Sequence, residues 1–443
     1  MRIIITTVGS RGDVQPYVAL GLGLEEVGHE VHLVTYAPFE GFVRGRGLSY
    51  HPISGNPDGA VAEVLEAGLN SVKGAQTFRR FLGSTLEQNL AEYREACRYA
   101  NAVIYSPVGF LGHHVAEKMG VPTIGAAVQP LFSRTRSFPR SLLGKPLGGF
   151  LEGGLLGELY NRLTYPAAEQ LFWQTMRPIV TEARAELGLA PLPFVGPFRN
   201  ADQPRLPILY GWSPSVLPQP TEWRDQLCTI GYWFLDRPSW QPPDELVNFL
   251  QAGPPVSIGF GSMNNVDPEE ITTRLLEALR HSGQRGILLT GWSGIGSADL
   301  PDEVFKAYNV PHDWLFDRVR LAVHHGGAGT TAASLRVGLP TVVVPFFLDQ
   351  AFWGWRVAKL GAGPEPVPRK KLTYDRLSAA ILRAATNAHM EKRARLSGRE
   401  DPGGGRCSVR GRGLPPQRRA RIRTGGAKVV RGQYRPHSGK GRR

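Results

Sequence analysis

Apolar β-branched residues gather in short runs along this chain, and each run is followed by a glycine-bearing turn and then by apolar positions at helical spacing. Residues 3–8 (IIITTV) are the first such run. A turn follows, then a helical pattern over residues 15–27 closed by Gly28 and His29, then a second run, EVHLVT, at residues 30–35. Strand, turn, helix and strand within about 35 residues predict a βαβ unit with a right-handed crossover. Residues 102–105, 112–119 and 123–127 continue as strand, helix and strand. This alternation predicts a parallel sheet covered on both faces.

Residues 141–200 are rich in Gly, Leu and aromatics and predict helices with loops. The proline-rich residues 202–243 predict a last strand and an interdomain connection. A second series then begins. Residues 256–260, 286–290, 321–324 and 341–345 predict strands, with helices over residues 268–281 and from the glycine turn at 326–329 to residue 337. The expected fold is therefore α/β, with two facing Rossmann-like, doubly wound domains at residues 1–235 and 236–390. Ligands of such folds bind in the cleft at the carboxyl ends of the strands.

Length agrees with two domains, since 443 residues exceed what one core usually serves. The net charge of +14 invites a nucleic-acid reading until it is located. Residues 391–443 carry 17 Lys/Arg against 3 Asp/Glu, so this basic Gly/Arg-rich tail accounts for the whole excess and the body is neutral. No nucleic-acid partner is expected. Cys97, Cys228 and Cys407 are widely spaced and share no ligand spacing with histidines. That pattern suits a reducing cytoplasm better than a disulfide framework or structural zinc. No run approaches the roughly 20 apolar residues that cross a bilayer, so a cytoplasmic protein with transient membrane-surface contact is expected.

Two turns carry candidate chemistry. The first, Gly9-Ser10-Arg11-Gly12-Asp13, lies between strand and helix at the cleft. There Asp13 either takes a proton from an attacking hydroxyl or caps the helix. The second is His324-His325-Gly326-Gly327-Ala328-Gly329-Thr330. Its glycines permit close backbone approach, and a helix N-terminus with His325 and Thr330 as added donors suits a pyrophosphate. It lacks the lysine of a P-loop and the glycine spacing of a nicotinamide site. Packing alone is the competing explanation for its glycines. Asp349-Gln350 after a strand supplies acceptors and donors for sugar hydroxyls, or merely starts a helix. The turn at Gly259–Met263 offers N–H groups and a hydroxyl to the same cleft. The pair His113, His114 points along diverging directions on a helix and reads as ordinary surface or cleft residues rather than metal ligands.

Taken in order, GSRGDVQP, GFGSM, VPHDWLF, HHGGAGTT and VPFFLDQAFWG resemble the sterol glucosyltransferase branch of the GT-B, family 1 glycosyltransferases, from residue 1 to about 389. The resemblance implies an inverting transfer of a hexose, glucose first, from a UDP-sugar to the hydroxyl of a sterol or other lipid-like alcohol, with neither metal nor cofactor. It implies that Asp13 is the base and that Ser10 and Ser262 approach the donor. It further implies that Val310 holds the uracil edge by its backbone and that His325, Gly327, Gly329 and Thr330 bind the pyrophosphate. Asp349 and Gln350 would hold the glucose hydroxyls. The chain departs from plant members of the superfamily at two places. Their uracil-stacking tryptophan falls near Asn309 and their ribose-binding glutamate near Ala333.

A polyketide, terpenoid or glycolipid acceptor is the alternative within the fold. Outside it stand an inactive enzyme or a non-catalytic binding protein using the tail. The tail itself admits two readings. One is a solvated basic segment. The other is a frameshift near residues 395–400: the string EDPGGGRC has a codon set that, read one nucleotide later, gives Lys-Ile-Arg-Ala-Glu-Asp-Gly-Val, similar to how this family ends. Either way the residues beyond about 400 are expected to be disordered and to dock nowhere.

Overall fold

A computed structural model describes residues 1–55, 72–140, 154–197, 207–223, 227–236, 239–261, 268–291, 295–296, 300–346 and 349–399, with the pairs 407–408 and 421–422. The first half is a seven-stranded parallel sheet. Its strands are β1 (Arg2–Thr6), β2 (Glu30–Tyr36), β3 (Ser49–Ile53), β4 (Ala102–Tyr105), β5 (Thr123–Ala127), β6 (Ile208–Tyr210) and β7 (Leu227–Thr229). They lie in the order β3-β2-β1-β4-β5-β6-β7. The α-helices of this half among the described residues are α1 (Arg11–Glu26), α2 (Glu40–Arg44), α3 (Val72–Ser84), α4 (Leu86–Cys97), α5 (Phe110–Met119) and α6 (Gly154–Glu186). Ile3, Ile4 and Ile5 are all buried. A sheet covered on both faces requires this, and it explains why β1 shows a continuous apolar run rather than alternation.

The second half is a five-stranded parallel sheet of β8 (Val256–Gly259), β9 (Gly286–Leu289), β10 (Val304–Ala307), β11 (Leu321–His324) and β12 (Thr341–Val343), in the order β10-β9-β8-β11-β12. Around it lie α7 (Asp244–Gln251), α8 (Pro268–Ser282), α9 (His312–Leu315), α10 (Ala328–Arg336), α11 (Gln350–Lys359), α12 (Tyr374–Thr386) and α13 (Ala388–Arg399). The boundary expected at 235/236 falls in the segment between β7 and α7.

Local chemistry sets the helix ends that matter. The Ser10 amide donates to Asp13 Oδ2 at 2.8 Å, so an acid in the first turn closes the start of α1. At its other end Gly28 has φ +87°, its N–H donates to Glu25, and that of His29 donates to Leu24. These two bonds form a Schellman motif, which glycine enters without Cβ strain.

Three features depart from the sequence expectation. The described part of 141–200 holds a 33-residue helix, α6, that runs through Pro166 and Pro178. Residues 391–399, assigned to the basic tail, continue α13, with Ala394 and Ser397 buried. They pack on α10 and belong to the folded body. Cys97 is buried and free, whereas Cys228 takes part in a disulfide, unlike the three isolated thiols expected. The expectation for the tail beyond residue 400 lies outside the described residues, apart from a two-residue antiparallel pairing of Cys407–Ser408 with Arg421–Ile422.

The halves meet through aromatic packing. Phe138, Trp212 and Trp223 of the first share one buried cluster with Phe352 and Trp353 of the second. Ring centroids lie 6.0 Å apart for Phe138–Phe352 and 6.5 Å for Trp212–Trp353. Truncating either tryptophan to alanine costs about 3–5 kcal/mol. Polar contacts add orientation. Asp236 in the connection accepts two bonds from Arg336 at the end of α10, at 2.7 and 3.0 Å, and its carbonyl accepts from Arg46 of the first half at 3.2 Å. The Arg336 guanidinium also lies 4.3 Å from the centre of the Phe234 ring. Among the described residues no helix is long and apolar enough to cross a membrane.

Candidate active site

In each sheet the strand order reverses beside the first strand of its half: between β1 and β4, and between β8 and β11. Loops diverge at such points and leave a crevice at the carboxyl ends of the strands. The turn after β1 holds Ser10 and Asp13. The turns after β8 and β11 hold Gly261 and residues 325–329. The sequence motifs therefore stand at the two switch points. Arg11 reaches Asn309 Oδ1 of the other half at 3.5 Å, so the turns face one another.

Asp13 both caps and stays available. Its Oδ2 accepts from the Ser10 amide at 2.8 Å and the Ser10 hydroxyl at 2.9 Å. Among the described residues Oδ1 has no partner. Burial pushes the Asp13 carboxyl above its ordinary range, and the two Ser10 bonds oppose that shift. Gly9, at φ +119°, makes room for it: a Cβ there would lie 2.6 Å from Asp13 Oδ2. Ser10 is thus spent on Asp13 in this state.

The glycines of the second turn differ in what surrounds them. Gly326 has φ +89°, and a Cβ there would lie 2.6 Å from Val343 and 2.8 Å from the Gln350 carbonyl. A Cβ on Gly327 would meet His325 Nε2 at 2.4 Å. The fold requires glycine at 326, whereas at 327, with φ −60°, a Cβ would displace only the His325 ring. Gly329 is exposed, and a Cβ there meets nothing within 4 Å, so packing does not require a glycine at this position. Nδ1 of His325 is buried without a hydrogen-bond partner among the described residues. Burial first, then the nearby His312, lowers His325 to about 4. It therefore faces the turn as a neutral imidazole that can donate one N–H. The hydroxyl of Thr330, likewise without a partner among the described residues, lies on the first turn of α10, whose amides point the same way.

His324 was not singled out by its sequence, yet it supports this turn. It is buried, its Nδ1 accepts from the Gly326 amide at 2.9 Å, and burial holds it well below the ordinary histidine range. His312 stacks on Phe316 with ring centroids 4.7 Å apart. Only the folded chain brings these rings together.

Asp349 and Gln350 open α11. Trp353 Nε1 donates to Asp349 Oδ2 at 2.9 Å, and Gln350 Oε1 accepts from the Phe346 amide at 2.8 Å. Each therefore uses one oxygen to fix the local fold. Val310 buries its side chain in an apolar cluster with Leu246 and Leu315. Among the described residues its amide and carbonyl take no backbone hydrogen bond. Asn309 stands at φ +53°, a left-handed geometry that asparagine tolerates and bulky residues resist. Ala333 packs against the same apolar cluster. Ser262 lies outside the described residues.

His113, His114 and Glu117 come within metal-binding distance of one another. The guanidinium of Arg184 already bonds Glu117 at 2.6 and 2.9 Å and His114 Nδ1 at 3.2 Å. His113 Nδ1 pairs with Thr123 Oγ1 at 3.0 Å. Burial and the adjacent charges hold His114 near 3. These residues form an internal ion pair that joins α5 to α6.

Comparison with known proteins agrees with this geometry. The glycosyltransferase family 28 N-terminal domain matches residues 3–136, and the erythromycin biosynthesis protein CIII-like C-terminal domain matches residues 287–400. The sterol 3-beta-glucosyltransferase of Cryptococcus neoformans var. neoformans is 37% identical over 90% of the chain, which spans only 26% of that protein. A sterol 3-beta-glucosyltransferase of Arabidopsis thaliana is 35% identical over 94% of the chain and 69% of its own length. Among solved structures, the calicheamicin glycosyltransferase CalG4 superposes with a TM-score of 0.63 at 19% identity, covering 90% of this chain and 93% of its own. VinC, solved with dTDP, gives 0.60 at 19% identity over 90% and 95%. The fold is GT-B, and the chain belongs to the sterol 3-beta-glucosyltransferase family of glycosyltransferases.

Proposed function

We propose that this protein is an inverting, metal-independent hexosyltransferase that moves glucose from UDP-glucose to the hydroxyl of a sterol or similar lipid-like alcohol. The observation that carries this reading is the 35% identity to the Arabidopsis relative over nearly the whole chain. Asp13 and the α10 turn, on facing halves of the molecule, give it a mechanism. The free Oδ1 of Asp13 takes the acceptor proton as the acceptor oxygen attacks the anomeric carbon from the face opposite UDP. The carbon–oxygen bond to the diphosphate breaks, and charge grows on the leaving phosphate. The α10 amides, Thr330 and the His325 N–H stabilise that charge more in the transition state than in the ground state. Val310 receives the uracil edge. Asp349 and Gln350 hold sugar hydroxyls.

An acceptor of this class is held in membranes, so it is met there by transient surface contact from the aqueous side. The test incubates the protein with a panel of UDP-sugars and mixed alcohols, with products read by mass spectrometry. A hexosyl sterol formed from UDP-glucose is expected. Transfer only to a polyketide, or no transfer with UDP binding retained, would overturn the assignment.

A further inference from the structure

Two histidines on neighbouring strands meet at the outer edge of the first sheet. Strand β3 is that edge, bonded on one side to β2. His51 of β3 stands opposite Val34, two residues beyond His32 of β2, so both rings lie on one face of the sheet. His32 Nδ1 is 3.1 Å from His51 Nε2. The other ring nitrogen of His32, Nε2, is 2.8 Å from Glu30 Oε1, which also accepts from Arg2 Nε at 2.9 Å. Both histidines are half-buried.

Each of these bonds needs one proton, and that need sets the tautomers. A carboxylate only accepts, so His32 carries a hydrogen on Nε2. In the neutral ring Nδ1 is then bare and accepts, and His51 supplies the hydrogen from its own Nε2. One further proton fits on the pair, because one of the two facing nitrogens can still accept. A second does not fit. It would set two N–H groups and two positive charges against each other across 3.1 Å.

The surroundings do not relieve that conflict. Burial is the largest cause that lowers His51 from the ordinary histidine range, followed by His32. Arg2 of β1 and Arg44 of α2 act in the same direction, and Glu95 of α4 opposes them. The unfolded chain has no such limit, since each histidine there takes its own proton near pH ~6.5. Below that pH the unfolded state binds more protons than the folded pair, so acid weakens the hold of β3 on β2.

We propose that His32 and His51 form a one-proton lock on edge strand β3, closed while the pair holds at most one extra proton and opened when acid forces in a second. Opening would bare the edge of β2, the state in which a sheet pairs with other chains. The lock is independent of the donor and acceptor proposed above.

The test is hydrogen exchange of the full chain, read by mass spectrometry on the peptide holding residues 49–53 between about pH 7.5 and about pH 5, with intrinsic rates corrected. The parent is compared with His51→Gln and His32→Gln. A glutamine amide donates and accepts without titrating, so each variant keeps a bond across the strands. In the parent, opening at 49–53 is expected to rise about three- to tenfold per pH unit below pH ~6, tenfold being the slope of one refused proton. Inner strand β4 should keep its protection. In the variants the rise should stay below about twofold per pH unit. The two substitutions are independent, so one that fails to fold leaves the other to decide. Exchange at 49–53 that ignores pH, a rise shared equally by β4, or a folded variant with the parent's slope would each overturn the proposal.

Discussion

Asp349 and Asp13 sense each other across the two halves of the molecule. Burial raises the Asp349 carboxyl to about 6, and the charge of Asp13 adds to the rise against the bond from Trp353. An acid whose folded value exceeds its unfolded one makes the folded state the better proton binder. Stability therefore falls as pH climbs from about 4 to about 6. Asp349→Asn keeps an oxygen for Trp353 and removes the charge. It is expected to raise stability at pH 7 by on the order of 1–3 kcal/mol while slowing glucose transfer. Melting temperatures against pH check this. The gain should vanish below pH ~4, and a gain that persists there would give the effect another cause.

Asp13→Asn is expected to keep the Ser10 bond and the melting temperature while lowering turnover by about 10²–10⁴. Because burial raises Asp13, the parent's rate should fall on the acid side as the base takes up its proton, and the variant should lose that limb. Turnover within a few fold of the parent would leave Asp13 a helix cap and nothing more.

His325→Ala removes a neutral donor from the α10 turn. UDP titrated by calorimetry should bind about 10- to 100-fold more weakly, the range for a bond to a charged group. An unchanged dissociation constant would move the donor site elsewhere. Chelation with EDTA should leave the parent's turnover intact, and its loss would refute a metal-free reaction.

The two glycines around Ala328 should separate packing from binding. Gly327→Ala presses on the His325 ring and is expected to cost about 1–3 kcal/mol of stability. Gly329→Ala enters open space in the first turn of α10. It should hold or raise the melting temperature by up to about 1 kcal/mol in stability while weakening UDP about tenfold. Equal thermal effects from both would mean that neither position is reserved for a ligand.

Where a signal is local, the chain could be read directly. The runs that became β1, β4 and β11 announced themselves because strands buried on both faces need largely apolar residues. Asp13 was legible as cap or base, and the folded chain uses one oxygen for the first role while leaving the other for the second. The three-residue strands β6 and β7 gave no comparable run, and Pro166 and Pro178 disguised a continuous α6. His324 could not be found in advance, because its bond to Gly326 depends on a left-handed glycine. Arg336 and Asp236 are a hundred positions apart, a distance at which no pattern of spacing speaks.

That last pair has a mechanical meaning. Helix α10 is a rod of nine residues, about 13 Å long. One tip is the ring of amides proposed above for the diphosphate. The other is bolted through Arg336 to Asp236, whose own carbonyl is gripped by Arg46. A rod cannot move at one end and stay still at the other without bending. Any pull exerted by a bound diphosphate is therefore felt at the joint between the halves, and any change of angle at that joint re-aims the amides. On the proposed donor site, loading the donor and setting the angle of the halves are therefore coupled.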